Sequence, residues 1–235
     1  MTDFLLVHGS CHGAWCWRDV IPELVALGHR ARAIDLPSHG ADPTDPAEAT
    51  LESYAQAILD ALEGPTVLVG HSMGGYPITQ AAENDPSHIS RLVYLCAYVP
   101  RGDESLADMR RSAARQPLAP AIRIAPDRIT MGFDPDMVGA LFYHDCPEGT
   151  LDYARAHLCP QPMRPQATPL RRTGRGAGIA RSYIRCDDDR AIPPEFQAEM
   201  TRDWPPEDVH ALPVSHSPFF ASPKRLAALL SEIAS

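Results

Sequence analysis

Residues 70–74, Gly-His-Ser-Met-Gly, set a serine between two glycines, directly after the apolar run Thr66–Val69 and before a segment of helical character. A serine hydroxyl is a weak nucleophile. It becomes useful where a sharp strand-to-helix turn lifts Oγ clear of a sheet, and Gly70 and Gly74 leave room for backbone to approach such a turn. The same five-residue pattern occurs in ordinary glycine-rich connectors, so its chemical meaning depends on a base and an orienting acid elsewhere. Both follow in order. The run Ser182–Cys186 leads into Asp187-Asp188-Asp189, and Val209–Leu212 leads to His216. Serine, acid, then histidine, each just past a strand-like run, is an arrangement for acyl transfer. His8-Gly9-Ser10 ends the run Phe4–Val7, where a backbone N–H can help hold an oxyanion.

The elements that must position these groups alternate along the chain. Phe4–Val7, Ala31–Ile34, Thr66–Val69, Leu92–Cys96, Ser182–Cys186 and Val209–Leu212 are apolar or β-branched runs separated by helical stretches, which predicts an α/β fold with a six-stranded, mainly parallel sheet and right-handed crossovers. Helices are expected at Trp17–Leu27, Leu51–Leu62, Tyr76–Glu83 and Lys224–Ile233. For the last, Ser222 is a candidate cap, Pro223 suits the first turn, and Leu226, Leu229, Leu230 and Ile233 form one stripe. Three residues before the first run leave no room for an extra N-terminal hairpin. Between about Pro100 and Thr173 the alternation lapses into a proline-, methionine- and arginine-rich segment without a β pattern, which reads as a helical cap inserted into a single domain covering 1–235. Asp134–Phe142 and Glu148–His157 are its candidate helices, and Cys159–Pro165 reads as extended or turn-like.

Composition bounds the function. At 235 residues and 44% hydrophobic content the chain can bury a sizeable core. A formal net charge of −9 argues against a nucleic-acid partner, because the one basic cluster, Arg171, Arg172 and Arg175, is short. No run approaches membrane-spanning length and no signal peptide is visible, so a cytoplasmic protein is expected. Cysteines 11, 16, 96, 146, 159 and 186 have neither CxxC nor Cys/His metal spacing and are expected to be reduced. No metal or cofactor is called for.

The stretches Phe4–Trp17, Gly28-His29, Asp35-Leu36, Gly70–Gly75 and Tyr183–Gln197 resemble the plant methylesterase and hydroxynitrile lyase branch of the α/β-hydrolases, and the resemblance spans nearly the whole chain. It implies the α/β-hydrolase fold with a helical cap. It also selects among the three aspartates: the family's acid lies four residues before the proline of an Ile-Pro-Glu-Phe-Gln-like stretch, which is Asp189, with Asp188 the runner-up. Asp187 or Asp188 would then remain solvated or cap the helix near Pro194. His216 stands where the family has its base, and His8, His12 and His71 read as motif or pocket-shaping residues. The lyases of this branch carry threonine at the position of Gly9 and lysine at that of Ser217, so both lyase markers are missing.

The expected reaction is hydrolysis of a small carboxylic ester, a methyl ester foremost, by Ser72, His216 and Asp189 through an acyl-enzyme, with the backbone N–H groups of Ser10 and Met73 receiving the oxyanion. Gly9, Cys11, His12, Trp17 (or Trp15), Met131, Phe133, Phe142, Tyr143 and Ser217 are candidate pocket residues. The rival readings are a hydroxynitrile-lyase-type enzyme and a ligand-binding relative without turnover. The partner is a small-molecule ester; homodimers are common in the family, but no sequence feature marks an interface.

Overall fold

The computed structural model describes residues 1–235. Nine strands are formed: β1 Asp3–Val7, β2 Arg30–Ile34, β3 Thr66–His71, β4 Ile89–Leu95, β5 Ile122–Ile124, β6 Thr130–Phe133, β7 Gln161–Pro162, β8 Ala180–Cys186 and β9 Val209–Leu212. The six expected runs make one sheet of order β2-β1-β3-β4-β8-β9, in which every adjacent pair is parallel.

The near-continuous apolar character of the inner strands β1 and β3 has a direct cause. Successive side chains alternate between faces, and helices cover both faces of a parallel sheet. Phe4 and Leu6 of β1 join Trp17, Leu24, Leu226 and Leu230 in one buried cluster. Leu5 and Val7 join Tyr54, Ile58 and Ile78 in the other. The strand order reverses at β1 and β3, whose register pairs Val7 with Gly70. The loops leaving these two strands therefore start side by side, at the crevice where sites form in open α/β sheets.

Helices Leu51–Asp60 and Gly75–Asn84 lie close to the expected ranges. Thr50 and Ser53 close the first with a reciprocal capping box, both bonds 2.9 Å. The first expected helix is shorter than its pattern: a 3₁₀ turn at Ala14–Trp17 precedes a helix at Ile21–Ala26. Pro22 explains the break, since its ring would clash with the carbonyl of residue 18 in a helix running on from Trp17. The C-terminal helix, Pro223–Ile233, begins at proline as expected, but the Ser222 side chain makes no capping bond. Ser222 instead joins two helices through its backbone, its N–H bonding Pro218 O and its carbonyl accepting from Leu226 N, both 3.0 Å.

Between β4 and β8 the expectation of a purely helical excursion is corrected. Helices Leu106–Ser112, Pro135–Phe142, Thr150–His157 and Met163–Ala167 are accompanied by a small antiparallel sheet, β5-β6-β7. Its strands have two to four residues, too few for a period-two pattern to stand out. The expected extended stretch 159–165 ends in a short helix whose Pro165 sits in the first turn, where a missing N–H costs nothing. No helix is long and apolar enough to cross a membrane.

Candidate active site

Ser72 follows β3 at the start of a 3₁₀ turn, Ser72–Gly74, that runs into helix Gly75–Asn84. Its φ is 54°, a left-handed conformation that strains a residue with a Cβ and persists only where the surroundings impose it. Packing shows what imposes it. A Cβ on Gly70 would lie 2.5 Å from Gly74 O, and one on Gly75 would lie 2.1 Å from Tyr98 O. Only glycine allows the turn to close this tightly. The Ser72 carbonyl accepts a 3.1 Å bond from Tyr98 N, which ties the turn to the loop after β4.

His216 follows β9 and Asp189 follows β8, so the sheet brings both to the same edge as Ser72. His216 Nδ1 lies 2.7 Å from Asp189 Oδ2. A carboxylate only accepts, so Nδ1 carries the proton and Nε2 keeps its lone pair. Asp189 is itself held: Oδ1 accepts from Ala191 N at 2.7 Å and Ile192 N at 2.9 Å, and Oδ2 also accepts from Gln197 Nε2 at 2.9 Å. Gln197 is buried and its Oε1 accepts from Cys186 N, so one side chain fixes both the strand end and the acid. Sequence reasoning missed Gln197, whose role depends on a helix folding back over eight residues. Asp188 is exposed and bonds His144 Nε2 at 3.0 Å, while Asp187 bonds Arg185. Neither caps the helix Pro194–Met200, which has no side-chain cap.

Ser10 lies in the loop after β1, and its N–H bonds no group of the protein. Met73 lies in the first turn after Ser72, where amides lack an intrahelical carbonyl. Two buried side chains hold the Ser10 loop. His12 Nδ1 donates to Ser10 O at 2.7 Å while its Nε2 meets Tyr143 OH at 2.6 Å, and Gln166 Nε2 donates to Ser10 Oγ at 2.8 Å. Gln166 had no sequence signal, because it lies in the proline-rich stretch far from every motif.

One narrow cavity takes in Ser72, His216, Ser10 and Gln166, with about 390 Å³ of empty space when the open solvent at its mouth is included. Of the expected wall residues, His12, Met131, Phe133 and Phe142 line it. His71, Tyr98, Leu106, Arg110 and Leu118 line it as well; apart from His71 they had not been anticipated. The other expected walls stand behind the lining. Trp17 packs on Phe219 in the core, Tyr143 is spent on His12, Ser217 is fully buried, and Cys11 opens onto a neighbouring surface groove. Trp15 stacks on the far face of the His12 ring, 5.2 Å between centroids. Gly9 is packing-limited: a Cβ there would lie 2.8 Å from His71 Nδ1 and 2.9 Å from Ser72 Cβ.

His71 Nε2 donates to His216 O at 2.8 Å and so anchors the loop carrying His216. Burial lowers His71 well below the ordinary histidine range, with His216 adding to it. Burial also brings His12 down to about 4 against the opposing bond to Ser10, and His8 falls for the same reason. These rings are therefore neutral at pH 7. Above the unfolded value of about 6.5 neither state is protonated, whereas below it the unfolded chain binds protons that the folded chain refuses. Stability is thus expected to fall from about pH 6.5 towards pH 4, with His12 alone contributing a loss of about 2 kcal/mol at pH 5. Urea denaturation at pH 7.5 and 5.0 checks this, and equal stabilities would contradict it.

Comparison with known proteins identifies the family. The model of the alpha/beta hydrolase family matches residues 4–229. Methylesterase 3 of Arabidopsis thaliana is 31% identical, with 98% of this chain and 95% of the relative aligned. A pyrethroid hydrolase of Sphingobium wenxiniae is 30% identical over 100% of this chain and 88% of its own. The crystal structure of a pyrethroid hydrolase from Sphingobium faniae superposes with a TM-score of 0.87 at 27% identity, covering 99% of this chain and 97% of the other. The chain therefore belongs to the alpha/beta hydrolase family and, within it, to the ester hydrolases that include the methylesterases.

Proposed function

We propose that this ester hydrolase works by two-step acyl transfer on Ser72. His216, oriented by Asp189, takes the Ser72 proton as Oγ attacks the ester carbonyl. The N–H groups of Ser10 and Met73 receive the oxyanion, the alcohol leaves with the proton, and water activated by the same histidine releases the acid. The 2.7 Å bond from His216 to Asp189 carries this reading, because it sets the tautomer a general base needs beside a cavity shared with Ser72. The segment between β4 and β8 serves as the cap that roofs this cavity and excludes water. The substrate is a small carboxylic ester, a methyl ester foremost, in keeping with the methylesterases among the relatives. Six free cysteines suit a reducing, cytoplasmic setting.

Lyase chemistry is disfavoured by a packing argument. Threonine at position 9 would drive its Cβ into His71 and Ser72, so the lyase marker does not fit this site without movement of both.

The test is hydrolysis of a panel of aryl and methyl esters, with mass-spectrometric trapping of the acyl group on Ser72. Ser72-dependent turnover and a trapped ester are expected; no turnover of any ester by folded protein would overturn the reading. Gln166→Ala is expected to lower kcat about 10-fold with little change in KM, because it loosens the loop presenting the Ser10 N–H while leaving that donor in place; loss of a whole oxyanion donor costs about two to three decades. An unchanged kcat would remove Gln166 from the positioning of that loop.

A further inference from the structure

The cavity contains an unmatched positive charge. Arg110 lies in the last turn of helix Leu106–Ser112, is half-buried, and is the only permanently charged side chain that lines the space around Ser72 and His216. No carboxylate lines that space. The arginines on either side of it in the chain are matched: Arg111 pairs with Asp108, Arg115 with Glu195 and Arg101 with Glu199. Asp108, the nearest acid on the same helix, is also engaged by Ser105 Oγ at 2.6 Å and Ser105 N at 3.2 Å. The Arg110 guanidinium makes no hydrogen bond or ion pair within the protein, although it presents five donors in a fixed fork. Tyr98 lines the same cavity, is 5% exposed, and its hydroxyl has no hydrogen-bond partner. Burial raises the Tyr98 phenol, against the opposing charge of Arg110, so the hydroxyl remains a donor. Its backbone N–H is the group bonded to Ser72 O, which fixes Tyr98 relative to the reacting serine.

We infer that the substrate carries a free carboxylate in addition to its ester, held by the Arg110 fork and the Tyr98 hydroxyl: a half-ester of a dicarboxylic acid. A planar fork matches a carboxylate in two parallel charge-assisted bonds, and partial burial strengthens them. The inference rests on the Ser72 esterase reading and names its substrate class. The reaction needs only water: the acyl carbon–oxygen bond breaks, the alcohol leaves with a proton, water supplies the new carboxyl oxygen, and the products are a dicarboxylate, the alcohol and one proton released to solvent.

The experiment compares kcat/KM for monomethyl glutarate and its neutral dimethyl ester. Hydrogen bonds to a charged group contribute about 1.5–3 kcal/mol, which converts to a preference of about 10- to 150-fold for the half-ester. Arg110→Gln is expected to bring the ratio close to one, Arg110→Lys to keep part of it, and Tyr98→Phe to lower it about 10-fold. Arg110→Glu reverses the sign, favouring methyl 5-aminopentanoate over monomethyl glutarate, an outcome that a merely structural arginine would not produce. Glutarate supplies a readout apart from turnover: it should raise the Tm of the wild type and not of Arg110→Gln. A wild-type ratio near one, or a preference that survives Arg110→Gln, overturns the inference. If neither ester is hydrolysed yet glutarate raises Tm through Arg110, the esterase reading fails and the anion site stands.

Discussion

Replacing Ser72 by alanine is expected to lower kcat on a small methyl ester by about six decades, leaving the residual rate that a binding site and oxyanion donors give without a nucleophile. The size follows from the roles acting as one unit. His216 has no hydroxyl to deprotonate once Oγ is gone, so its alignment by Asp189 no longer contributes. Alanine carries the same Cβ and so bears the same strain at φ 54°, and the glycine contacts that impose the turn involve backbone rather than Oγ. The variant should therefore fold with near-native stability, and near-UV circular dichroism separates lost chemistry from lost structure. Wild-type turnover by a folded Ser72→Ala protein would remove Ser72 from the reaction.

Asp189→Asn is expected to cost about four decades in kcat, since the analogous change in a serine protease does so by imposing the wrong histidine tautomer. The four donors around the carboxylate explain why no rotamer avoids the problem. With its amide nitrogen towards His216, the asparagine donates to Nδ1, and the histidine proton moves to Nε2, where it blocks the base. With the amide turned round, the nitrogen faces the N–H groups of Ala191 and Ile192, which approach Oδ1 to 2.7 and 2.9 Å. Donor then meets donor in a buried site, and stability falls by about 1–3 kcal/mol. Asp188→Asn is the matched control: Asp188 is exposed on His144, and kcat is expected to stay within about twofold. Equal losses at both positions would show that the charge of the loop matters, and not the bond to His216.

The parallel sheet was legible because its inner strands β1 and β3 are apolar runs, a local consequence of burying both faces, and the remaining strand-like runs alternate with helical periodicity. The serine turn was legible for a related reason: it needs glycine at fixed offsets, so the requirement is written within five residues. Asp189 was harder. Three consecutive aspartates are equivalent in composition, and only the resemblance to a family singled one out. In the fold the three diverge, because their loop turns Asp187 and Asp188 to Arg185 and His144 at the surface and buries the third against His216, Ala191, Ile192 and Gln197.

The sequence by itself determined the six strands of the main sheet, the strained serine turn and the residue types for acyl transfer, since each follows from local backbone requirements or from periodicity. Tertiary structure alone decided the rest. Gln197 meets Asp189, Gln166 meets Ser10 across 156 residues, and Arg110 and Tyr98 face the cavity that Trp17 and Tyr143 do not reach. Gln197 reaches Asp189 from the helix Pro194–Met200, and the other placements arise where the segment between β4 and β8 packs over the sheet edge. Each depends on how one segment folds against another, so no periodicity or spacing within a segment encodes which side chain will point inward.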